Sequence, residues 1–498
     1  MHAHVQERLY DVIILGAGPA GMALAQGCRR YGASVLLIES EETLGGVHRV
    51  DRRHGMFSEH GPRIYNTNYR TVERFFGDFQ ESLNTMFRPY NFDLGVQNGR
   101  TWWDFPFADK VVLGSALLRH LLLPFGTDRQ ISVAEFAERH GLHPSTLDYL
   151  DRVCRFSDGG DATRYTLFEL FELVNQHSFI QTLEPCLPND VAMIPKWEAH
   201  LRRLGVDILV ETKALRVQDE GDMIVVHVKH KTKQSTFRGR RVVMAMPPPA
   251  WFEILAASPQ THVQRAFGAP KAVREWIQRS LYMPYGSMTF LWNTPQTLPR
   301  FRGFPRTDWG ILFVVMSSVT KFDETPTVVS CAITVWDVPS SHTGKRPADY
   351  ASLEECRLEA FRQWKEAIGA QDLPKPDHLI GDNFLHETDT ADDAAFFRAA
   401  GVSYLDAQSP VVNRLYQLGC QNGRQKYNFT SMEAAVSNAA ALLHTWFPQA
   451  RHDYPIHSPV TLRHILYGSL IALTVLVVLW MYWRPKRNNK RFAGWFSI

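Results

Sequence analysis

The sequence predicts an α/β fold: a Rossmann-like domain interleaved with an α+β domain, plus one C-terminal transmembrane helix. Three observations predict it. A glycine-rich turn, Gly16-Ala17-Gly18-Pro19-Ala20-Gly21, stands between an apolar strand-like run and a helical stretch. Two more strand-rich stretches, 206–245 and 413–419, return far downstream. Residues 465–483 contain no Asp, Glu, Lys or Arg and lie next to a basic tail.

The run LYDVIIL at Leu9–Leu15 is apolar and β-branched, as a buried parallel strand is. It enters a GxGxxG turn in which each glycine has a reason. Gly16 makes the tight turn, Gly18 lets backbone approach a pyrophosphate, and Gly21 allows close helix–strand packing, with Pro19 and Ala20 opening the helix. A second strand, 34–38, ends in Glu39, 18 residues beyond Gly21, where a carboxylate accepts ribose hydroxyls. Strand, glycines, helix, strand and acid in that order identify a dinucleotide site, whereas GxGxxG alone is also met in glycine turns without ligand.

Just past the acid come Gly45-Gly46-Val47-His48-Arg49 and then GMFSEHGPRIY at 55–65. With these residues the chain resembles the flavoprotein superfamily of flavin-containing amine oxidases, protoporphyrinogen oxidase, phytoene desaturases and UDP-galactopyranose mutase. The resemblance implies FAD as cofactor and a glutathione-reductase-like form of the Rossmann domain. It implies FAD contacts at Gly45, Gly46, Arg49, Gly61, Pro62 and Arg63. Arg63 stands where mutases and desaturases often carry His.

The later superfamily segments recur in order. A helical stretch, IPKWEAHLRRLG, leads to a strand at 206–217, then strands at 223–228 and 241–245 run into Met246-Pro247-Pro248-Pro249. The resemblance implies a backbone contact to the adenine side near Leu215. An ordinary return strand reads the same way. Near the end, 413–419 reads as a strand into Gly419, and Thr430 and Glu433 have capping-box spacing for a helix reaching to about Phe447. In the superfamily such a helix aims its N-terminus, here Thr430, Ser431 and Met432, at the flavin, where its dipole favours negative charge. Cys420-Gln421-Asn422 replaces the usual acid after the glycine.

The intervening stretches, by the same resemblance, build the substrate domain. The aromatic run WWDFPF at 102–107 is read as core, with helical stretches at 111–123 and 166–179. The run YMPYGSMTFLW at 282–292, followed by strands at 310–317 and 328–336, reads as a sheet floor under the flavin ring. It has no lysine where typical amine oxidases hold one, and Gly286 stands where a mutase has arginine beside Tyr285. Tyr285, Lys426 and Tyr427 are the candidate substrate residues. No catalytic residue is assigned, and no histidine or cysteine spacing indicates a metal.

Composition agrees with a folded body. The 498 residues correspond to about three domain-sized units. Hydrophobic residues make up 45% and charged residues 21%, which excludes wholesale disorder and a polytopic membrane protein. A scattered net charge of +3 gives no field for nucleic acid. The six cysteines form no CxxC pair, which fits a reducing compartment. Residues 1–11 hold no apolar signal region, so the body is expected to face the cytosol. Residues 465–483 span about 29 Å as a helix, just a bilayer core. Tyr467 lies near one end, and Trp480, Tyr482 and Trp483 near the other. Arg484, Lys486, Arg487, Lys490 and Arg491 follow.

The expected organisation is FAD-binding segments at 1–90, 191–250 and 401–448, with substrate segments at 91–190 and 251–400. A linker at 449–464, a transmembrane helix at 465–483 and a basic tail at 484–498 complete it. The function expected is hydride transfer from a small organic substrate to FAD by a membrane-anchored, amine-oxidase-like oxidoreductase. The alternatives are a mutase acting on a nucleotide sugar and a non-catalytic flavin-fold module. The partners expected are a small-molecule substrate and the bilayer, with no nucleic acid. If the source is eukaryotic, the mitochondrial outer membrane or endoplasmic reticulum is the expected location.

Overall fold

A computed structural model of the chain describes residues 8–59, 61–90, 102–123, 127, 129–158, 160–280, 286–298, 302–303, 306–323, 325–381 and 396–483. The run Leu9–Leu15 forms a strand inside a seven-stranded sheet. The order across the sheet is Asp207–Leu209, Val35–Ile38, Leu9–Leu15, Lys233–Met244, Ile224–His230, Thr212–Asp219. The long strand Lys233–Met244 has two successive neighbours on one edge. Its first half pairs antiparallel with Ile224–His230, and Val242, Val243 and Met244 then pair in parallel with Leu415–Gln417. Segments more than 400 residues apart thus meet in one sheet.

Alternation explains why the central strands are apolar throughout. Val12, Ile14, Val35 and Leu37 face one core, while Ile13, Leu15, Leu36 and Ile38 face the other. The first face is covered by helices Pro19–Arg30, Met193–Arg203 and Met432–Trp446. The second is covered by Pro248–Ala256 and Pro270–Ser280 through Trp251, Ile254, Val273 and Ile277.

The expected strand at 206–217 is two strands. Glu211 takes a left-handed φ of 49°, which breaks the chain between a parallel strand on Val35–Ile38 and an antiparallel one on Ile224–His230. A second, five-stranded sheet is antiparallel at every pairing and centres on Thr327–Ile333 and Gly286–Trp292. Helix Leu353–Ala367 covers it with Phe361 and Trp364. A helical unit packs Phe107–Leu122, Val133–His140, Pro144–Asp158 and Leu167–His177 around Phe136, Tyr165 and Phe171.

Two expectations need correction here. Phe105 is buried, but Trp103 and Phe107 are 80% and 81% exposed, so the aromatic run is not all core. Trp103 belongs to a single 3-10 turn, and Phe107 opens the next helix on its outer side. The stretch expected as a linker is docked. Tyr454 is fully buried, stacks on Phe75 at 4.0 Å between centroids, and donates its hydroxyl proton to Asp78. Such a stacked pair contributes about 0.5–1.5 kcal/mol beyond its buried area.

The uncharged run forms helix Leu462–Trp483, with a mean hydropathy of 2.2 over its most apolar window and nothing in that window buried against the body. It starts three residues earlier than expected, where the Thr461 hydroxyl accepts from His464 N at 3.3 Å, and Arg463 in its first turn reaches back to the helical unit. There Arg463 donates to Glu172 at 2.9 Å and to the backbone oxygens of His120 and Leu121. The basic tail lies outside the described residues, as does Tyr285.

Candidate functional site

The parallel strands end in one row. Leu209, Ile38, Leu15, Met244 and Gln417 are in register across the sheet. Every dinucleotide residue expected at a strand end lies just beyond that row: Gly16 after Leu15, Glu39 after Ile38, and Gly419 two residues after Gln417. Ligands of open α/β sheets bind beyond the carboxyl ends of the strands, and three stretches of unrelated sequence converge there.

The first turn is built by close backbone contacts. Gly16 has φ of +102°, and a Cβ on it would lie 2.4 Å from the carbonyl oxygen of Ala245. Gly18 differs: its φ is −70°, and a Cβ there would meet nothing nearer than the Gly46 Cα at 3.8 Å. The glycine pair therefore stands opposite Gly18, joined to it where Gly45 N donates to Ala17 O at 2.9 Å. Helix Pro19–Arg30 starts at this point with Pro at its first position, so its free amides and positive dipole end face the gap. The cradle fits a pyrophosphate.

Glu39 is buried and held. Its Oε2 accepts the Ala17 N–H at 2.8 Å, and its Oε1 accepts from Ser40 and from Glu41 N at 3.1 Å each. Arg49 reaches to 3.8 Å from the same carboxylate. Beyond it, Leu215 occupies a β-bulge: Arg216 pairs with His227 and Ala214 with Val228, which leaves Leu215 without a cross-strand partner. A bulge frees backbone polar groups, as a backbone contact to adenine requires.

Gly61, with φ of +145°, Pro62 and Arg63 form the next wall. The Arg63 guanidinium donates to the backbone oxygen of Val47 and so ties this segment to the glycine pair. Tyr65 is fully buried, 2.9 Å from His48 Nδ1, and accepts from Asn189 Nδ2 at 2.9 Å.

Helix Met432–Trp446 closes the site, with a different cap from the one expected. Ser431 is the N-cap, its hydroxyl accepting from Ala434 N at 3.1 Å. Thr430 donates to Phe396 O at 2.8 Å, and Glu433 does not fold back on its own helix. Instead its carboxylate accepts the N–H groups of Thr71 and Val72, in the first turn of helix Arg70–Gly77. Burial raises the Glu433 carboxyl to about 7, against these hydrogen bonds, which lower it. The spacing had the right type of residue for a capping box, and tertiary packing used it for a neighbouring helix. Gly419 N is satisfied by Asn422 Oδ1 at 3.0 Å.

The candidate substrate residues separate. Lys426 is exposed, whereas Tyr427 is buried. The Tyr427 hydroxyl accepts from Asn66 Nδ2 at 2.9 Å and lies 2.5 Å from His177 Nε2, with the two rings stacked 9° from parallel. Burial holds the His177 imidazole down at about 3, so the ring beside the Tyr427 hydroxyl is neutral. His177 was not legible beforehand: it lies 250 residues from Tyr427 and belongs to no motif. Among the described residues no group of His, Cys, Asp and Glu could hold a metal.

The architecture is a Rossmann-like nucleotide-binding sheet joined to an antiparallel sheet and a helical unit. Residues 14–79 match the NAD(P)-binding Rossmann-like domain model. Among solved structures, a putrescine oxidase variant superposes with a TM-score of 0.64 at 14% identity, covering 89% of this chain and 99% of that one. Cyclohexylamine oxidase from Brevibacterium oxydans superposes with a TM-score of 0.62 at 16% identity, covering 88% and 100%. Likenesses at this identity show a shared fold. A stretch of 97 residues is 35% identical to UDP-galactopyranose mutase of Mycoplasma pneumoniae, covering 19% of this chain and 23% of the mutase. The chain therefore spans about a quarter of the length of that curated relative.

Proposed function

We propose that this chain is an FAD-dependent oxidoreductase of the amine-oxidase-like type, held to a membrane by helix Leu462–Trp483. The observation that carries the reading is the single row of strand ends, beyond which Gly16, Glu39 and Gly419 all lie, with the glycine pair against Gly18 and Cys420 Sγ donating to Ser431 O at the cap of helix Met432–Trp446. In it Gly16, Gly18, Pro19, Ala20 and Gly21 hold the pyrophosphate, Glu39 the ribose, and the Leu215 bulge the adenine. Gly45, Gly46, Arg49, Gly61, Pro62, Arg63, Gly419, Thr430, Ser431 and Met432 line the remainder.

The flavin supplies the two-electron acceptor that no side chain provides. The chain orients it and sets polarity. The dipole of helix Met432–Trp446 favours negative charge at its N-terminus, and burial excludes water around Tyr427. Neutral His177 holds the Tyr427 hydroxyl in one orientation. The strand Gly286–Trp292 carries no lysine, so amine oxidation by the usual lysine-held water is not available from that strand.

The mutase reading is kept because of the 97-residue similarity. In it the same cofactor would act on a nucleotide sugar without net redox. The test is to purify the full chain in detergent and record its flavin absorbance. Bleaching is then followed with amines and with NAD(P)H, and UDP-galactose is offered to the reduced protein. Bleaching by an organic substrate supports the oxidoreductase. Sugar isomerisation without net electron transfer replaces it with the mutase, and absence of flavin removes both.

A further inference from the structure

Helix Phe107–Leu122 is apolar on two faces. Its inner face, with Leu113 and Leu121, is part of the helical unit's core. Its outer face presents Phe107, Val111, Leu118 and Leu122, spaced 4, 7 and 4 residues apart, which places them on one stripe of the helix. Trp103 and Leu123 extend the stripe at its two ends. A soluble helix carries charge on that side. Here exposed apolar side chains recur along one side of the helix, separated at mid-length by Gly114 and Ser115, and an exposed apolar patch marks a site of contact.

The adjoining element names the occupant. The C-terminal helix leaves the body at the Leu122 end of this strip: Tyr467 donates to Leu122 O at 2.7 Å, and Arg463 donates to Leu121 O at 3.2 Å. Val174 and Phe179, on and just after the neighbouring helix Leu167–His177, are exposed beside it. Arg119 and Lys110 flank the strip, as cations at a headgroup level do. A lipid surface that receives the C-terminal helix lies within reach of the strip without any rearrangement of the body.

We infer that helix Phe107–Leu122 is a second membrane contact, lying in the interface beside the C-terminal span and fixing the body's orientation on the bilayer. This rests on the reading of Leu462–Trp483 as a span. The occupant is the lipid of that same bilayer.

The test is nitroxide labelling of the full chain reconstituted in phosphatidylcholine vesicles with 20–30% phosphatidylserine, roughly the anionic content that attracts basic interfacial segments. Labels are placed by Val111→Cys, Leu118→Cys and Val475→Cys, with the unsubstituted labelled chain as background. Oxygen and a nickel chelate report depth. Labels at 111 and 118 are expected at shallow depth, with an oxygen-to-chelate ratio several-fold above that of Gln264→Cys, on the body away from the strip, and Val475 is expected deepest. Val475 deep with 111 and 118 as water-accessible as 264 overturns the inference and leaves the span standing. Val475 water-accessible overturns the span itself. Spin–spin broadening at 111 that disappears on dilution with unlabelled chain assigns the strip to a second copy instead and also overturns it.

Discussion

The carboxylate of Glu433 accepts the backbone N–H of Thr71 at 2.9 Å, joining residues 362 positions apart. One buried side chain thus seats helix Met432–Trp446 against the first turn of helix Arg70–Gly77. Glu433→Ala leaves the amides of Thr71 and Val72 buried without an acceptor, at about 1–3 kcal/mol each. Glu433→Gln retains one acceptor. Thermal unfolding should show the alanine variant clearly lowered and the glutamine variant between it and the parent; equal midpoints would remove the seating role.

The same carboxyl makes stability depend on pH. Its folded value, about 7, lies above the ordinary 4.5, so the folded state binds the extra proton. This contribution is fully present below pH 4.5 and is lost as pH rises through about 7. Chemical unfolding between pH 4.5 and 8 should show that decline in the parent and a flatter profile in Glu433→Gln.

Burial lowers His177 from 6.5 to about 3, which gives the opposite sign. Its contribution is present above pH 6.5 and fades as pH falls toward 3. His177→Gln should flatten the acid side of the stability profile and, on this account, alter the near-ultraviolet signal of Tyr427. Tyr427→Phe should reproduce the spectral change without flattening the profile. A His177→Gln profile identical to the parent's on the acid side would contradict the buried neutral imidazole.

Two glycines of one turn should fail differently. Gly16→Ala forces a Cβ into Ala245 O and a left-handed φ, so unfolding temperature should fall along with flavin content. Gly18→Ala has room within the protein, so its unfolding temperature should hold in the absence of flavin while flavin retention drops. Full flavin content in Gly18→Ala would place the pyrophosphate elsewhere.

Arg463, at the root of the C-terminal helix, neutralises Glu172, which burial would raise but which hydrogen bonds from His120 and Asn175 and the Arg463 charge bring down to about 2. Arg463→Met leaves that carboxylate short of its cation and should cost up to about 3–5 kcal/mol. Glu172→Gln combined with Arg463→Met should recover part of the loss. Additive losses in the double variant would show that the two side chains do not act together.

Much of the fold was legible because its signals are local. The GxGxxG turn, the acid at Glu39 and the apolar strands follow from periodicity and backbone sterics within some 30 residues. Gly419 and helix Met432–Trp446 were found only because superfamily segments recur in order. What remained hidden depends on tertiary contact. Glu433 has capping-box spacing but serves another helix; Tyr454 sits in a polar stretch but is buried on Phe75. Trp103 and Phe107 have core composition but face outward.

The central claim is that the row of strand ends holds one FAD. The most direct measurement is the absorbance spectrum of the full chain purified in detergent, followed by denaturation and identification of the released chromophore. The account predicts a bound flavin band and FAD released at about one per chain, with the yield reduced in Gly18→Ala. A colourless parent protein that takes up no FAD on dialysis against it, while remaining folded by circular dichroism, would contradict the account.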